Sequence, residues 1–412
     1  MHRIDALDTV LLAVAAGTLA LLLSRRLRVN GLWRATVTPL ASIIGSGFLV
    51  VVPLLGHTVG GFAFFAMALV VALAYAIGAA VRFNIRHVEP LLAVKGEAPR
   101  LLVRVEAAGD LALALAYFVS VTFYLRLLSA FVLRGLAFDE HSLLAEVLTT
   151  GLLLFIGTTG AVRGLAALER LEVLSVSVKL AIIGSLLVGW TVHDVRILGT
   201  FRQAIPPGEW EGVETLRLLA GVLLVVQGFE TSRYLGEEYE PSVRVRTMRW
   251  AQLLAGAIYL TFVGLCLPSL KELPPRVDET AIIDLAGEVA GVLPLLLVLA
   301  ATMSQFSAAV ADTVGAAGLL SEGALGRLRL PTRKGYLLVS LVGVVLVWTA
   351  NVFEIVALAS RAFALYYALQ CLSGLLATGP RLQGARLWLV RAGLLTLGLV
   401  LCGVVVFAIP AG

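Results

Sequence analysis

The chain has 412 residues, 59% hydrophobic and 14% charged, with a mean hydropathy of +0.95 and a formal charge of +5. A soluble domain carries about a quarter charged residues, so the composition excludes a water-soluble globule. In such a chain the basic excess points to loops on one membrane face, not to nucleic acid, and Cys266, Cys371 and Cys402 sit in apolar runs without the spacing of a disulfide framework or a zinc site.

Apolar stretches of the roughly 20 residues needed to cross a bilayer run over 7–24, 34–55, 60–82, 110–134, 142–162, 171–192, 215–236, 248–269, 285–318, 336–352, 355–378 and 388–409. They predict an all-α integral membrane protein of about twelve transmembrane helices. Asp5 and Asp8 precede the first run and Arg25, Arg26 and Arg28 follow it, the reverse of a signal peptide, so it reads as a retained helix with its N-terminus outside. Alternation from there places loops 25–34, 82–104, 163–170, 239–249, 321–334 and 379–386 in the cytoplasm. Those loops hold basic clusters such as Arg244, Arg246 and Arg249, or Arg327, Arg329, Arg333 and Lys334. The other side holds only Arg3, Arg134, Arg196, Arg202, Lys271 and Arg276. The asymmetry predicts a multi-pass protein of the plasma (inner) membrane with both termini extracytoplasmic.

Two spans are interrupted by glycine among polar residues. The second carries Ile43, Ile44, Gly45, Ser46 and Gly47, with Pro53 beyond; the seventh carries Gln227, Gly228, Phe229 and Glu230, then Arg233, Glu237 and Glu238. Each backbone group freed inside hydrocarbon costs several kcal/mol, so an ordinary span would avoid such a sequence. The interruptions lie five helices apart, which makes the two spans antiparallel, as an inverted repeat of five plus five helices requires. Freed N–H groups suit a carboxylate and freed carbonyls an ammonium, and an α-amino acid has both. Gly45-Ser46-Gly47 taken alone also fits a small-residue packing face.

Charges inside the spans are functional-site candidates. Lys179 stands nine residues after Arg170, about 13 Å along its helix at 1.5 Å per residue; the alternative is a lysine snorkelling to the headgroups. In the ninth span Gln305, Ala308, Ala309 and Asp312 share one helical face. Asp312 is placed to pair with Lys179 or with Arg233. Glu230 either stabilises a half-helix through its dipole or meets the substrate ammonium. Arg126 and Arg361 fit gate pairs with Glu354 and Glu230, or a second anionic group on the substrate. Of the aromatics Phe229, Tyr117 and Tyr124, Phe229 adjoins the break and is the one expected to close over a substrate.

These residues resemble the amino acid–polyamine–organocation (APC) superfamily of the LeuT fold. Gly45-Ser46-Gly47 with Pro53 matches the break of its first core helix; Gly228-Phe229-Glu230, Glu237-Glu238, Pro241 and Arg244 follow its sixth, one residue shorter and without the usual asparagine before the proline. The resemblance covers 34–409. It implies a LeuT-type 5+5 inverted repeat with one extra N-terminal helix and one C-terminal helix: 1–33 the extra helix and basic loop, 34–192 the first repeat, 193–214 an extracellular loop, 215–378 the second repeat, and 379–412 the last helix.

It further implies that 43–47 and 227–230 bind substrate, and that Lys179 takes the place of the cation of sodium-coupled relatives. Ser304 and Ser307 stand where the family has small hydroxyl residues, and Asp312 departs from its pattern. The implied function is secondary active transport, by alternating access, of amino acids or related small zwitterions and amines, coupled to protons. No cofactor, metal or nucleic acid enters this expectation, and its partners are the small-molecule substrate, protons and the bilayer. An intramembrane protease would need an arginine where Ser242 stands, and His57, His87, His141 and His193 lie near helix ends; an enzyme is not expected. A primary pump would need a nucleotide motif that is absent. A transport-inactive sensor that retains the carrier fold is the remaining alternative, and a soluble signalling domain would mark it.

Overall fold

The computed structural model describes residues 5–45, 47–94, 98–138, 142–165, 172–235, 239–275, 278–322, 330–378 and 384–410. Among them the backbone is helical, with one isolated bridge between Gly60 and Gly208. Helices dominate because a chain in hydrocarbon must satisfy its backbone polar groups within each segment.

The principal helices are α1 Ala6–Leu22, α2 Gly31–Ile43, α3 Gly47–Val59, α4 Ala63–His87, α5 Arg100–Gly135, α6 Ser142–Arg163, α7 Glu172–Arg196, α8 Val213–Gly221, α9 Pro241–Cys266, α10 Leu293–Glu322, α11 Thr332–Thr349, α12 Val352–Ala377 and α13 Gly384–Phe407. Two 3₁₀ turns, Leu223–Val226 and Phe229–Arg233, lie between α8 and α9.

Among the described residues nine helices are long and apolar enough to cross a membrane, or ten if α2 and α3, bent by 40° at their junction, form one span. Two of the expected spans do not meet that length. The first is a 17-residue helix. The seventh divides into the nine-residue α8 and the two turns.

The 36-residue α5 is central, with 83% of its most apolar window buried, whereas α13 is peripheral at 17%. The helix α5 packs along α10 and α12; α6 packs against α11; α9 packs against α2, α4 and α7; α7 packs against α10, and α4 against α12. The flanking helices complete the bundle, α1 lying on α7 and α13 on α12. Polar contacts fix α1: Asp8, buried near its start, accepts from the Val292 N–H at the head of α10 (3.0 Å), and Ser185 of α7 donates to the Leu11 carbonyl (2.8 Å).

Candidate functional site

The two interruptions meet. A Cβ on Gly47 would fall 2.4 Å from the Val225 Cα and 2.5 Å from its carbonyl oxygen, and one on Gly228 would fall 2.6 Å from the Ser42 carbonyl carbon. Gly228 has φ +115°, a conformation that L side chains rarely adopt, so both steric space and backbone geometry require glycine. The freed groups find defined partners. The buried Tyr259 hydroxyl lies 3.1 Å from the Ile43 carbonyl and 2.7 Å from the Val225 carbonyl, joining the two interruptions. The Glu230 carboxylate accepts from the Gly228 N–H (2.9 Å) and from the Tyr367 hydroxyl (2.7 Å).

Tyr259→Phe removes the shared donor and strands two buried carbonyls. The expected result is a loss of about 1–3 kcal/mol, read as a lower thermal midpoint of the purified protein in detergent.

Beside this junction lies a cavity of about 300 Å³. Thr38, Ala41 and Ser42 before the first interruption and Thr231 and Tyr234 after the second line it, together with Tyr117, Ser175, Lys179, Ser304, Ser307 and Asp312. The volume suits a small metabolite. Lys179, Ser304, Ser307 and Asp312, expected to act together, face one space. The Lys179 ammonium donates to the Ala41 carbonyl at 2.7 Å, one turn before the bend, so the lysine is anchored inward and does not snorkel. Asp312 accepts a short hydrogen bond from Ser120 of α5. Ser304 Oγ is buried without a hydrogen-bond partner among the described residues, and so are both amide atoms of Gln305 and Oε1 of Gln227. Among those residues no group of three or more His, Cys, Asp or Glu is arranged to hold a metal.

The residues at 43–45, 47 and 227–230 form the junction and do not line the cavity; Ser46, Glu237 and Glu238 lie outside the described residues. Phe229 is buried and stacked on Tyr367 with ring centroids 5.3 Å apart, and it does not line the cavity. Tyr124 accepts from Gln227 Nε2 (3.1 Å) beneath the junction. Side-chain placement next to an unwound segment depends on the turn geometry, which spacing along the chain does not specify.

The charge pairs also differ from expectation. Arg126 bonds Glu146 of α6 (3.2 Å), because both project between α5 and α6, and Glu354 instead caps the first turn of α12 through the Asn351 N–H. Arg361 donates to the Ala408 carbonyl just past the end of α13, where freed carbonyls need donors, and so does not gate the cavity.

Arg233 does not reach Asp312. It bonds Glu106 (3.0 Å), Glu89 (3.5 Å) and the Gln370 side chain (2.5 Å), and Arg244 reaches Glu89 (2.6 Å) and the Arg233 carbonyl (3.0 Å). This cluster braces the chain after the second interruption against α5, α12 and the short helix Glu89–Ala93 that follows α4. Arg233→Gln leaves Glu106 buried without its cation. The expected result is a destabilisation of about 3–5 kcal/mol and a sharply lower yield of monodisperse protein, with a smaller loss for Glu106→Gln, which leaves Arg233 its contacts to Glu89 and Gln370.

A helical bundle with two interrupted segments that meet beside a polar cavity defines a carrier-type membrane protein. The family profile described as an APC superfamily transporter matches residues 25–408, and the chain belongs to that family. A relative from Aquifex aeolicus (strain VF5), described as an uncharacterized protein, is 47% identical over 373 residues, 90% of each chain. The protein is thus a multi-pass membrane transporter, and a family of transporters supports a non-enzymatic reading.

Proposed function

We propose that the protein is a proton-coupled secondary carrier of amino acids or related small zwitterions and amines, working by alternating access in the plasma (inner) membrane with both termini extracytoplasmic. The observation that carries the reading is the cavity between Ser42, Thr231, Lys179 and Asp312, which offers a cation, an acid and several hydroxyls beside the two interruptions. A zwitterion needs that combination, and freed backbone at the junction adds donors and acceptors.

The helix contacts support a 5+5 inverted repeat with α2–α7 as one half (34–192) and α8–α12 as the other (215–378), 193–214 joining them. Exchanging each helix for its counterpart turns the α5–α12 contact into α10–α7, the α4–α12 contact into α9–α7, and the contact of α3 with α9 into that of the 3₁₀ turns with α4. The same exchange relates α1 on α7 to α13 on α12. On this reading the leading helix occupies on the first repeat the place that the trailing helix occupies on the second, and the proposed spans number twelve.

The cavity lies toward the helix ends that join the basic loops, since Thr38, Ser175 and Leu319 line it. By the positive-inside rule this is the cytoplasmic side, so the state is inward-facing. Ser307→Cys, in a chain whose Cys266, Cys371 and Cys402 are replaced by alanine, tests the reading by maleimide labelling of vesicles of known orientation. Labelling from the cytoplasmic side that a transported amino acid slows is the expected result. Labelling from the outer side alone would contradict the assignment.

A further inference from the structure

A second cavity, of about 750 Å³, lies away from the proposed substrate site, between α4, α9 and α13. Five guanidiniums line it: Arg82 and Arg86 from α4, Arg246 and Arg249 from α9, and Arg386 from α13. Among the described residues around it there is no Asp or Glu, and none of the five arginines makes an ion pair with a described residue. Arg82 is 9% exposed, held by the Gln252 side chain and by the face of Tyr75, 4.8 Å from its ring centroid. So much like charge in one concavity is mutually repulsive and calls for an anion. Guanidiniums match phosphate oxygens in pairs, so five of them exceed what one phosphate can use.

The surroundings identify the source of that anion. The basic cavity shares Arg246, Trp250 and Leu253 with an apolar groove of about 530 Å³ that continues over Leu32, Trp33 and Leu254. Trp250, Leu253 and Leu254 are exposed on a membrane-spanning helix and so face lipid. A soluble anion has no use for an apolar groove, whereas an acyl chain does. We propose that this is a binding site for an anionic phospholipid whose headgroup carries two phosphates, the diphosphatidylglycerol class, with the phosphates among the five arginines and an acyl chain along Trp250, Leu253 and Leu254. Such a lipid would tie the peripheral α13 to α4 and α9 through Arg386. Basic pockets between spanning helices are suited to such headgroups.

The test uses the purified full chain in detergent, exposed separately to cardiolipin, phosphatidylglycerol, phosphatidylcholine and inorganic pyrophosphate, with bound lipid read by native mass spectrometry and stability by thermal midpoint. The expected result is one retained cardiolipin and a raised midpoint, weaker retention of phosphatidylglycerol, none of phosphatidylcholine and no stabilisation by pyrophosphate. Arg246→Gln/Arg249→Gln is expected to weaken cardiolipin retention about thirtyfold, and Arg104→Gln, an exposed arginine outside the cavity, to leave it unchanged. Should the double variant not fold, Arg386→Gln alone is expected to weaken retention about fivefold. Undiminished retention by these variants, equal retention of phosphatidylglycerol, or stabilisation by pyrophosphate matching that by cardiolipin would overturn the proposal.

Discussion

Gly47→Leu is expected to abolish substrate uptake while Gly393→Leu, on the peripheral α13, leaves it intact. At Gly47 the nearest atoms to an added Cβ are the Val225 Cα, oxygen and carbon at 2.4–2.8 Å, all backbone, whereas nothing lies within 4 Å of a Cβ at Gly393. A backbone cannot move aside as a flexible side-chain end can, so even a methyl group forces the two interruptions apart. That displacement breaks the Tyr259 bridge between Ile43 and Val225 and shifts Ser42 and Thr231 at the cavity wall. Overpacking substitutions typically cost about 1–3 kcal/mol in ordinary cores, and here the clash is with backbone and leucine adds several carbons. Gly47→Ala is the milder version, with uptake expected to fall about tenfold or more. Initial rates of uptake into proteoliposomes, normalised to protein that elutes as a single species, provide the measurement; wild-type rates for Gly47→Leu would show that the junction does not shape the site.

Lys179→Ala has the second large effect, and it separates coupling from binding. The ammonium holds the Ala41 carbonyl from across the cavity, with Asp312, Ser304 and Ser307 around the same space. In the proposed mechanism a lysine there stands in for a cation when charged and frees the Ala41 carbonyl of α2 when it gives up its proton, which an amine, unlike a guanidinium, can do. Removing it is expected to eliminate accumulation driven by a pH gradient while counterflow exchange of substrate persists. Lys179→Arg is not expected to rescue accumulation, since guanidinium does not deprotonate in proteins. Gradient-driven accumulation unchanged in Lys179→Ala would remove the lysine from the coupling mechanism.

The spans were legible because hydrocarbon imposes the same demand on every segment, and 142–162 and 355–378 fall within a few residues of α6 and α12. Ends were harder to locate. The helix α5 begins at Arg100, ten residues before its apolar run, because a helix continues past the hydrocarbon once water can solvate its charges. The seventh span stops being α-helical at Gly221, before its glycine, where the turn Leu223–Val226 already uses the tighter pattern.

Site residues divide in the same way. Lys179 and Asp312 were visible because a charge deep in an apolar helix is anomalous in any arrangement. Thr38, Ser42 and Thr231 are ordinary in a spanning helix and gain meaning only from the cavity they share. Tyr259 looks like any packing aromatic, and its role lies in two carbonyls freed 182 residues apart in the chain (225 − 43). Glu89 stands in what reads as a basic loop, and Glu106 lies between that loop and the next apolar run. The depth of Arg233 beyond an interruption was the available hint that it needed acids, but which acids depended on the fold.

Uptake of radiolabelled amino acids into proteoliposomes, with and without an imposed pH gradient, tests the central assignment most directly. Accumulation of at least one amino acid or small amine above its external concentration, present with the gradient and collapsed by a protonophore, is the predicted result. Equilibration that the gradient leaves unaltered, or no uptake of any amino acid or amine by folded protein, would contradict a proton-coupled carrier of these substrates.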